Sequence, residues 1–526
     1  MQRMTVSNIR QFMSAALVIF SISLQADTLQ LLLPKPVKAE RLSGSVTAES
    51  CKDVKVVKGS VSGAPSAVAA EAYILEVTQS GVTVTASDKL GERHARTTLD
   101  QLLKLGNGSV PCCRIVDWPA FRWRGFMNDC GRNFLEIEGV KAILDVMALY
   151  KMNLFHWHLT DYHGWRLESK LYPSLQRPEA FFGRQVGRYY TQEECKAVMA
   201  AAKKHGVIVI PEIDMPGHSG AFERAMGFGM QTEEGKKVLK AALDEVVEVF
   251  ADAPYIHIGG DEVSTTAAYL NEMIAYVESK GKKAGIWNPI NGIGQDNLNA
   301  SLAQMWGTRG FVASGKANID SRYNYTNHFD VFADLVGIYK STIYYKEKGD
   351  ANIAGTISAC WNDRKLESVA DIMAQNNVYA NVIASAERAW IGGGKHYIDN
   401  CTNGGTNGGG GVMLPNSGDE YEEFADWERR FLFHKAHSLK GEPIPYVKQT
   451  NVRWRITDAF PNGGDASKVF PPEEQMNEEG IQPDSYTYNG ATYQTGMATG
   501  AGIYLSHTWG KSIINAYYNA PAYNQT

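Results

Sequence analysis

The chain has 526 residues, 44% of them hydrophobic and 21% charged, so a large core is available and the length suggests more than one domain. A formal net charge of −5 gives no electrostatic reason to expect a nucleic-acid partner. Eleven Trp and twenty-five Tyr supply flat, partly polar rings that suit a ligand with an apolar face and a hydroxylated rim.

Residues 1–26 read as an export signal. Arg3 and Arg10 precede the apolar run "FMSAALVIFSISL", and Ala26 offers a small residue for cleavage. The run is short for a membrane span, which takes about 20 residues, although an uncleaved anchor is the alternative. The protein is therefore expected to be exported, to the periplasm, the cell surface or the medium, with no integral membrane segment after the signal. Seven cysteines, at 51, 112, 113, 130, 195, 360 and 401, show no C-x-x-C pairing and no disulfide framework.

Residues 27–118 mix short β-like runs, "EAYILEV" and "GVTVTAS", with one helical stretch, "ARTTLDQLLKL". That is a small α+β domain. Residues 119–440 have another rhythm. Eight candidate strands occur: "FRWRGFMND", "NLFHWHL", "VIVIPEID", "YIHIGGDE", "KAGIWN", "LAQMWG", "ANIDSRYN" and "AGTISACWN". Helical patterns such as "IEGVKAILDVMALYK", "TQEECKAVMAAAKKHG" and "KVLKAALDEVVEVFA" lie between the earlier ones, and the later helices are poorly marked. The repeat over roughly 275 residues fits an α/β fold of the (β/α)8 TIM-barrel class. A doubly wound sheet lacks its glycine fingerprint here. "GGGKHY" has neither the glycine spacing nor the Ser/Thr of a phosphate loop, and "NGGTNGGGG" at 403–411 reads as a loop. Residues 441–526, with "SYTYNGATY", "GAGIYLSHTW" and "SIINAYYNA", read as a C-terminal β-rich segment.

Polar and aromatic residues terminate the strands. They are Asn128 and Asp129 with Arg132 beyond, His156, His158 and Asp161, Glu212 and Asp214 with His218, and Asp261 and Glu262. Trp287, Trp306, then Tyr323, Tyr325 and Asn327, then Trp361 and Asp363, end the remaining four. In such a barrel these ends share the rim where catalytic groups sit. Singly, each has an ordinary explanation. An Asp-Glu pair suits a helix N-terminus, a strand-end Trp packs, and an H-x-H pair is more often two packed histidines than metal ligands. The two glycines before Asp261 permit a bend that brings both acids to the rim. Two carboxyls in different environments then divide the work of donor and anion, the desolvated one being the donor.

"HIGGDE" (257–262), "KMNLFHWHLTDYHGWR" (151–166), "VIPEIDMPGH" (209–218) and "MNDCGRNF" (127–134) together resemble glycoside hydrolase family 20, the β-N-acetylhexosaminidases. The resemblance implies exo-acting, retaining, substrate-assisted cleavage of terminal β-linked GlcNAc or GalNAc through an oxazolinium intermediate, without metal or cofactor, on a glycan substrate. It implies Glu262, left neutral, as acid and base, an ionised Asp261 and Tyr325 as aligners of the acetamide, and Asp161 with His218 as the pair tuning the acid. It also implies Arg132 and Asp363 on the outer hydroxyls, with Trp287, Trp306 and Trp361 as pocket walls and Asn327 as a further contact. Tyr323 is the alternative to Tyr325. Tyr162 and His163 stand where relatives often carry Asp and Gln, Asp363 where many have Glu, and Asn327 where Asp is common. Two other readings remain: a metal-dependent barrel hydrolase using His156 and His158, and a carbohydrate-binding protein on an inactive barrel.

Overall fold

A computed structural model describes residues 28–307, 310–322, 335–362, 365–375, 378–394, 418–444 and 450, with the backbone of 485–488 and 491–494. The expected export signal, the expected loop at 403–411, Cys401 and the "GAGIYLSHTW" and "SIINAYYNA" runs lie outside the described residues.

Side chains alternate faces along an extended chain. Tyr73–Thr78 and Gly81–Ala86 obey this residue by residue, buried against half-buried. They form an antiparallel pair inside a five-stranded sheet whose order is Lys38–Thr47, Ser109–Asp117, Tyr73–Thr78, Gly81–Ala86, Val54–Lys58. Helix Lys89–Leu105 covers one face, placing Ala95, Leu99 and Leu102 against Leu75, Val77 and Ile115. The helix starts six residues before the apolar pattern does, because Asp88 caps it by accepting from the Leu90 N–H at 3.0 Å. The outer strand Lys38–Thr47 is exposed along most of its length, so it carries no alternation in sequence.

All eight candidate barrel strands form. They are Trp123–Asp129, Leu154–His158, Ile208–Glu212, Tyr255–His257, Lys283–Asn288, Leu302–Met305, Ala317–Asp320 and Ile353–Cys360. Each runs parallel to its neighbours, and the eighth closes on the first, with Gly355 opposite Trp123 and Cys360 opposite Asn128. Alternate residues fill the interior, among them Met127, Leu154, Ile210, Leu302 and Ile357, while Phe126, Phe155, Trp157 and Val209 face the surrounding helices. Helices Ile137–Leu149, Gln192–His205, Glu233–Val249 and Ala267–Ser279 precede strands two to five. A Thr191–Glu194 capping box starts the second of these and Gly206, at φ +71°, ends it. Strands five and six are joined through only a three-residue 3-10 turn, Gln295–Asn297, which is why no helical period marks that interval. Strands Ser485–Tyr488 and Ala491–Gln494 pair antiparallel.

The sheet domain docks on the barrel through a buried polar network. Arg124 of strand one reaches Glu71 at 2.5 Å, and Glu71 also meets His94 at 3.0 Å. Lys151, just before strand two, donates to Tyr73 Oη at 2.9 Å and Asp117 Oδ2 at 3.1 Å, while Trp390 Nε1 donates to Asp117 Oδ1 at 2.9 Å. A cavity of about 240 Å³ lined by Arg93, Arg122 and Trp123 opens beside this network, at the strand N-terminal ends. None of the six described cysteines forms a disulfide, and all are buried.

Burial alone would raise the Glu71 carboxyl, but Arg124 and His94 overcome it and hold it down at about 2, against an ordinary 4.5. A lowered carboxyl stabilises the fold above its unfolded value, and that contribution is lost as pH falls from 4.5 toward 2. Glu71→Gln is expected to cost about 3 kcal/mol in denaturant unfolding at pH 7, since it also leaves Arg124 buried without its anion. The cost should shrink steadily below pH 4.5; a deficit unchanged at pH 3 would contradict the pairing.

Candidate active site

Strand four stops at His257, five residues before the end of the candidate run "YIHIGGDE". Gly259 and Gly260 then take φ of +68° and +104°, where side chains are disfavoured. Contact also demands the first glycine, because a Cβ there would lie 1.7 Å from Asp214 Oδ1. The reversal turns Asp261 inward, 5% exposed, and leaves the Glu262 side chain 55% exposed. Glu262 at φ +52° and His218 at φ +49° are both left-handed, a strain of about 1–3 kcal/mol each that packing must hold.

His218 stands between the acids. Its Nε2 lies 3.5 Å from Glu262 Oε2 and 3.8 Å from Asp261 Oδ2, and its Nδ1 lies 3.5 Å from Asp161 Oδ2. Burial opposes its charge, but Asp261, Glu262, Asp214 and Asp161 outweigh burial and push the imidazole up to about 12. The cationic His218 in turn lowers the Glu262 carboxyl, more than the partial burial of Glu262 raises it. This departs from the neutral Glu262 expected from sequence. Asp261 is the more deeply buried of the two acids, and Glu262 is held toward its ionised form. Asp214, fully buried behind the pair, is raised well above the usual range by burial and by Asp261, and its Oδ1 accepts from the Gly260 N–H at 3.3 Å.

Arg132 is bracketed by two carboxylates, with Nη1 2.9 Å from Asp129 Oδ2 and Nη2 3.2 Å from Asp161 Oδ2. Its guanidinium carbon sits 5.2 Å from the Trp361 ring centre. Asp129 also accepts from the Asn362 N–H at 3.2 Å, pinning the end of strand eight to that of strand one. Arg132, Asp161, His218, Asp261, Glu262 and Trp361 are thus one constellation. Trp306 is half-buried, its indole donating to the Pro289 carbonyl at 2.9 Å. Trp287 is different: it has no exposure at all and lies behind Trp361, ring centres 5.6 Å apart, so it supports the wall without lining it. Tyr325, its alternative Tyr323, Asn327 and Asp363 lie outside the described residues. Tyr162 is 45% exposed and meets Phe182 edge to face at 5.2 Å, so that departure sits on the outer rim.

Asp129, Glu212 and Asp214 are legible in the sequence only as polar strand ends, and His158 only as a candidate metal ligand with His156. His156 and His158 are both buried and both approach Glu212. Among the described residues, three sets of donor atoms lie close enough together to hold a metal: His156–Glu212–His257, His158–Glu212–Asp214 and Asp214–His218–Asp261. In the first two, the Glu212 oxygens are already engaged by His158, His257 and Trp287.

Residues 121–233 match the catalytic domain of glycosyl hydrolase family 20, and residues 23–118 match domain 2 of the same family, in the order the fold presents them. Both matched domains are those of glycosyl hydrolase family 20. It is 37% identical over 229 residues to a beta-hexosaminidase of Vibrio furnissii, covering 36% of this chain and 37% of that one. It is 34% identical over 251 residues to a beta-N-acetylhexosaminidase of Cellulomonas fimi, covering 42% and 51%. The match therefore spans between about a third and a half of these two relatives' own length. The crystal structure of the beta-N-acetylhexosaminidase from Bacteroides fragilis covers 70% of this chain and 93% of that one, with a TM-score of 0.60 and 27% identity. No described helix is long and apolar enough to cross a membrane.

The turn at Gly259 sets the two acids, so its conformation can be tested directly. Gly259→Ala is expected to lose about 2–4 kcal/mol of stability by denaturant unfolding, from a disfavoured φ plus the clash. Gly292→Ala, at φ +72° with nothing within 4 Å, should lose only about 1 kcal/mol. Equal losses would show that the Asp214 contact is unimportant.

Proposed function

We propose that the chain is an exo-acting, retaining β-N-acetylhexosaminidase that removes terminal β-linked N-acetylhexosamines from glycans, with the substrate's own acetamide as nucleophile. The observation that carries this reading is the split of Asp261 and Glu262 around His218, beside the Arg132–Trp361 surface. A terminal sugar stacked on Trp361 presents its hydroxyls to Arg132, and a pocket of that kind admits chain ends.

The acetamide oxygen attacks the anomeric carbon as the bond to the leaving oxygen breaks, and Glu262 delivers its proton to that oxygen. Glu262 begins near its ionised form. A sugar over the site displaces its water, and that desolvation raises the carboxyl toward the donor state. The buried Asp261 accepts the acetamide N–H and balances the positive charge that forms on the oxazolinium. Water then adds to the anomeric carbon, giving its proton to Glu262, and the acetamide is restored. Holding an internal nucleophile in attack geometry contributes on the order of 7 kcal/mol or more. Tyr325 is proposed to align the acetamide oxygen, and Asp363 and Asn327 to bind the sugar along with Arg132. The apolar run behind Arg3 and Arg10 supports export. A metal-dependent hydrolase is the second reading, favoured by the three donor sets.

Glu262→Gln is expected to reduce turnover of substrates with poor leaving groups by about 10²–10⁴-fold while the thermal transition is retained. Near-normal turnover would remove Glu262 from the acid role. A thiazoline mimic of the cyclic intermediate should inhibit competitively, and indifference to it would exclude acetamide participation. Prolonged chelation should leave activity intact; loss restored by zinc would favour the second reading.

A further inference from the structure

A buried polar cluster not used by this mechanism lies at the C-terminal ends of strands two to five, in the barrel interior. Glu212 ends strand three with no exposure, and strand register places it beside His158 of strand two and His257 of strand four. A buried carboxylate must be paired and hydrogen-bonded or it loses its charge. Glu212 is amply paired: Oε2 lies 2.6 Å from His158 Nδ1, while Oε1 accepts from Trp287 Nε1 at 2.8 Å and lies 3.1 Å from His257 Nδ1. His156 Nε2 approaches Oε2 at 2.8 Å.

These partners lead outward to the site along two arms. His158 turns its other nitrogen, Nε2, to Asp161 Oδ2 at 3.3 Å, and Asp161 meets His218, which meets Glu262. His158 also meets the Trp361 ring edge-on at 5.1 Å, and Trp287 backs Trp361 from below. One carboxylate thus orients the residue behind the acid and both rings behind the sugar platform.

We propose that Glu212 is a positioning residue for the glycosidase reaction, fixing His158 so that the Asp161–His218 pair holds Glu262 at the leaving oxygen. The inference rests on the reaction proposed above. Glu212 touches no substrate, and its action runs through His158. Burial opposes charge on that imidazole, but Glu212 and Asp161, with Asp129 beyond, raise it well above its ordinary value, so the ring donates from both nitrogens. Removing the Glu212 charge frees the ring to release a proton or rotate, and Asp161 loses a fixed donor.

The test uses the full-length protein and two aryl or alkyl N-acetylglucosaminides that differ in leaving group. The dinitrophenyl glycoside departs without acid help, whereas the methyl glycoside needs the proton. Glu212→Gln, which keeps the side-chain shape, is expected to lower kcat on the methyl glycoside by about a hundredfold, the scale of a displaced catalytic group. On the dinitrophenyl glycoside the fall should be less than about tenfold. The downfield ring N–H resonance expected of His158, from its short bond to Glu212, should disappear. Equal losses on both glycosides, or none, would overturn the proposal. If Glu212→Gln does not fold, His158→Gln must show the same leaving-group split; failure of both to fold would assign the cluster to stability alone and overturn the proposal. Wild-type protein inactive on both glycosides would instead sink the glycosidase reading.

Discussion

The site depends on one backbone reversal. Strand four gives up its regular course after His257, and two glycines in positive-φ conformations carry the chain over Asp214. In a regular strand, neighbours point to opposite faces, so one of two adjacent acids would be lost to the helix layer. With the reversal, Asp261 is buried toward the barrel axis and Glu262 stands at the mouth, and a single imidazolium touches both. The like charges of Asp261 and Glu262 are therefore held apart by direction and bridged by His218. Left-handed backbone at both His218 and Glu262 indicates that this placement is enforced by the surrounding packing.

Charge alternates outward from that point. Glu262, His218, Asp161, His158 and Glu212 form a succession of anion and cation reaching from solvent into the barrel core, with Arg132 and Asp129 as a branch beneath Trp361. Low dielectric strengthens each link and makes any missing member expensive. A second polar network, centred on Glu71, Arg124, Lys151 and Asp117, holds the sheet domain at the opposite end of the strands. The apolar interior layers between them keep the two networks separate, so the chain anchors its domains and builds its site at different rims.

The barrel was legible because each strand is a short apolar run bounded by polar residues, and all eight runs were found on that pattern. The crossover from strand five to six was not, since a 3-10 turn leaves no period of 3.6 to detect. The acids, His218, Arg132 and Trp361 stood out as strand-end residues, and long motifs tied them to family 20. Sequence could not say which of Asp261 and Glu262 would be buried, because that depends on the dihedrals of the turn. Nor could it separate Trp287, an inward strand position under the platform, from Trp361 just past its strand end. Glu212 was invisible as a hub for a similar reason: a buried acid and a rim acid look alike until the partners from strands two, four and five are in place.

The account stands on participation of the substrate's amide between Asp261 and Glu262. The most direct measurement compares kcat/KM for two nitrophenyl β-glycosides that differ only at carbon 2, one bearing the acetamido group and the other a hydroxyl. Loss of an oriented internal nucleophile should cost on the order of 10⁵-fold or more, so the hydroxyl glycoside should be turned over at background rates. Comparable turnover of the two would contradict the assignment of both acids.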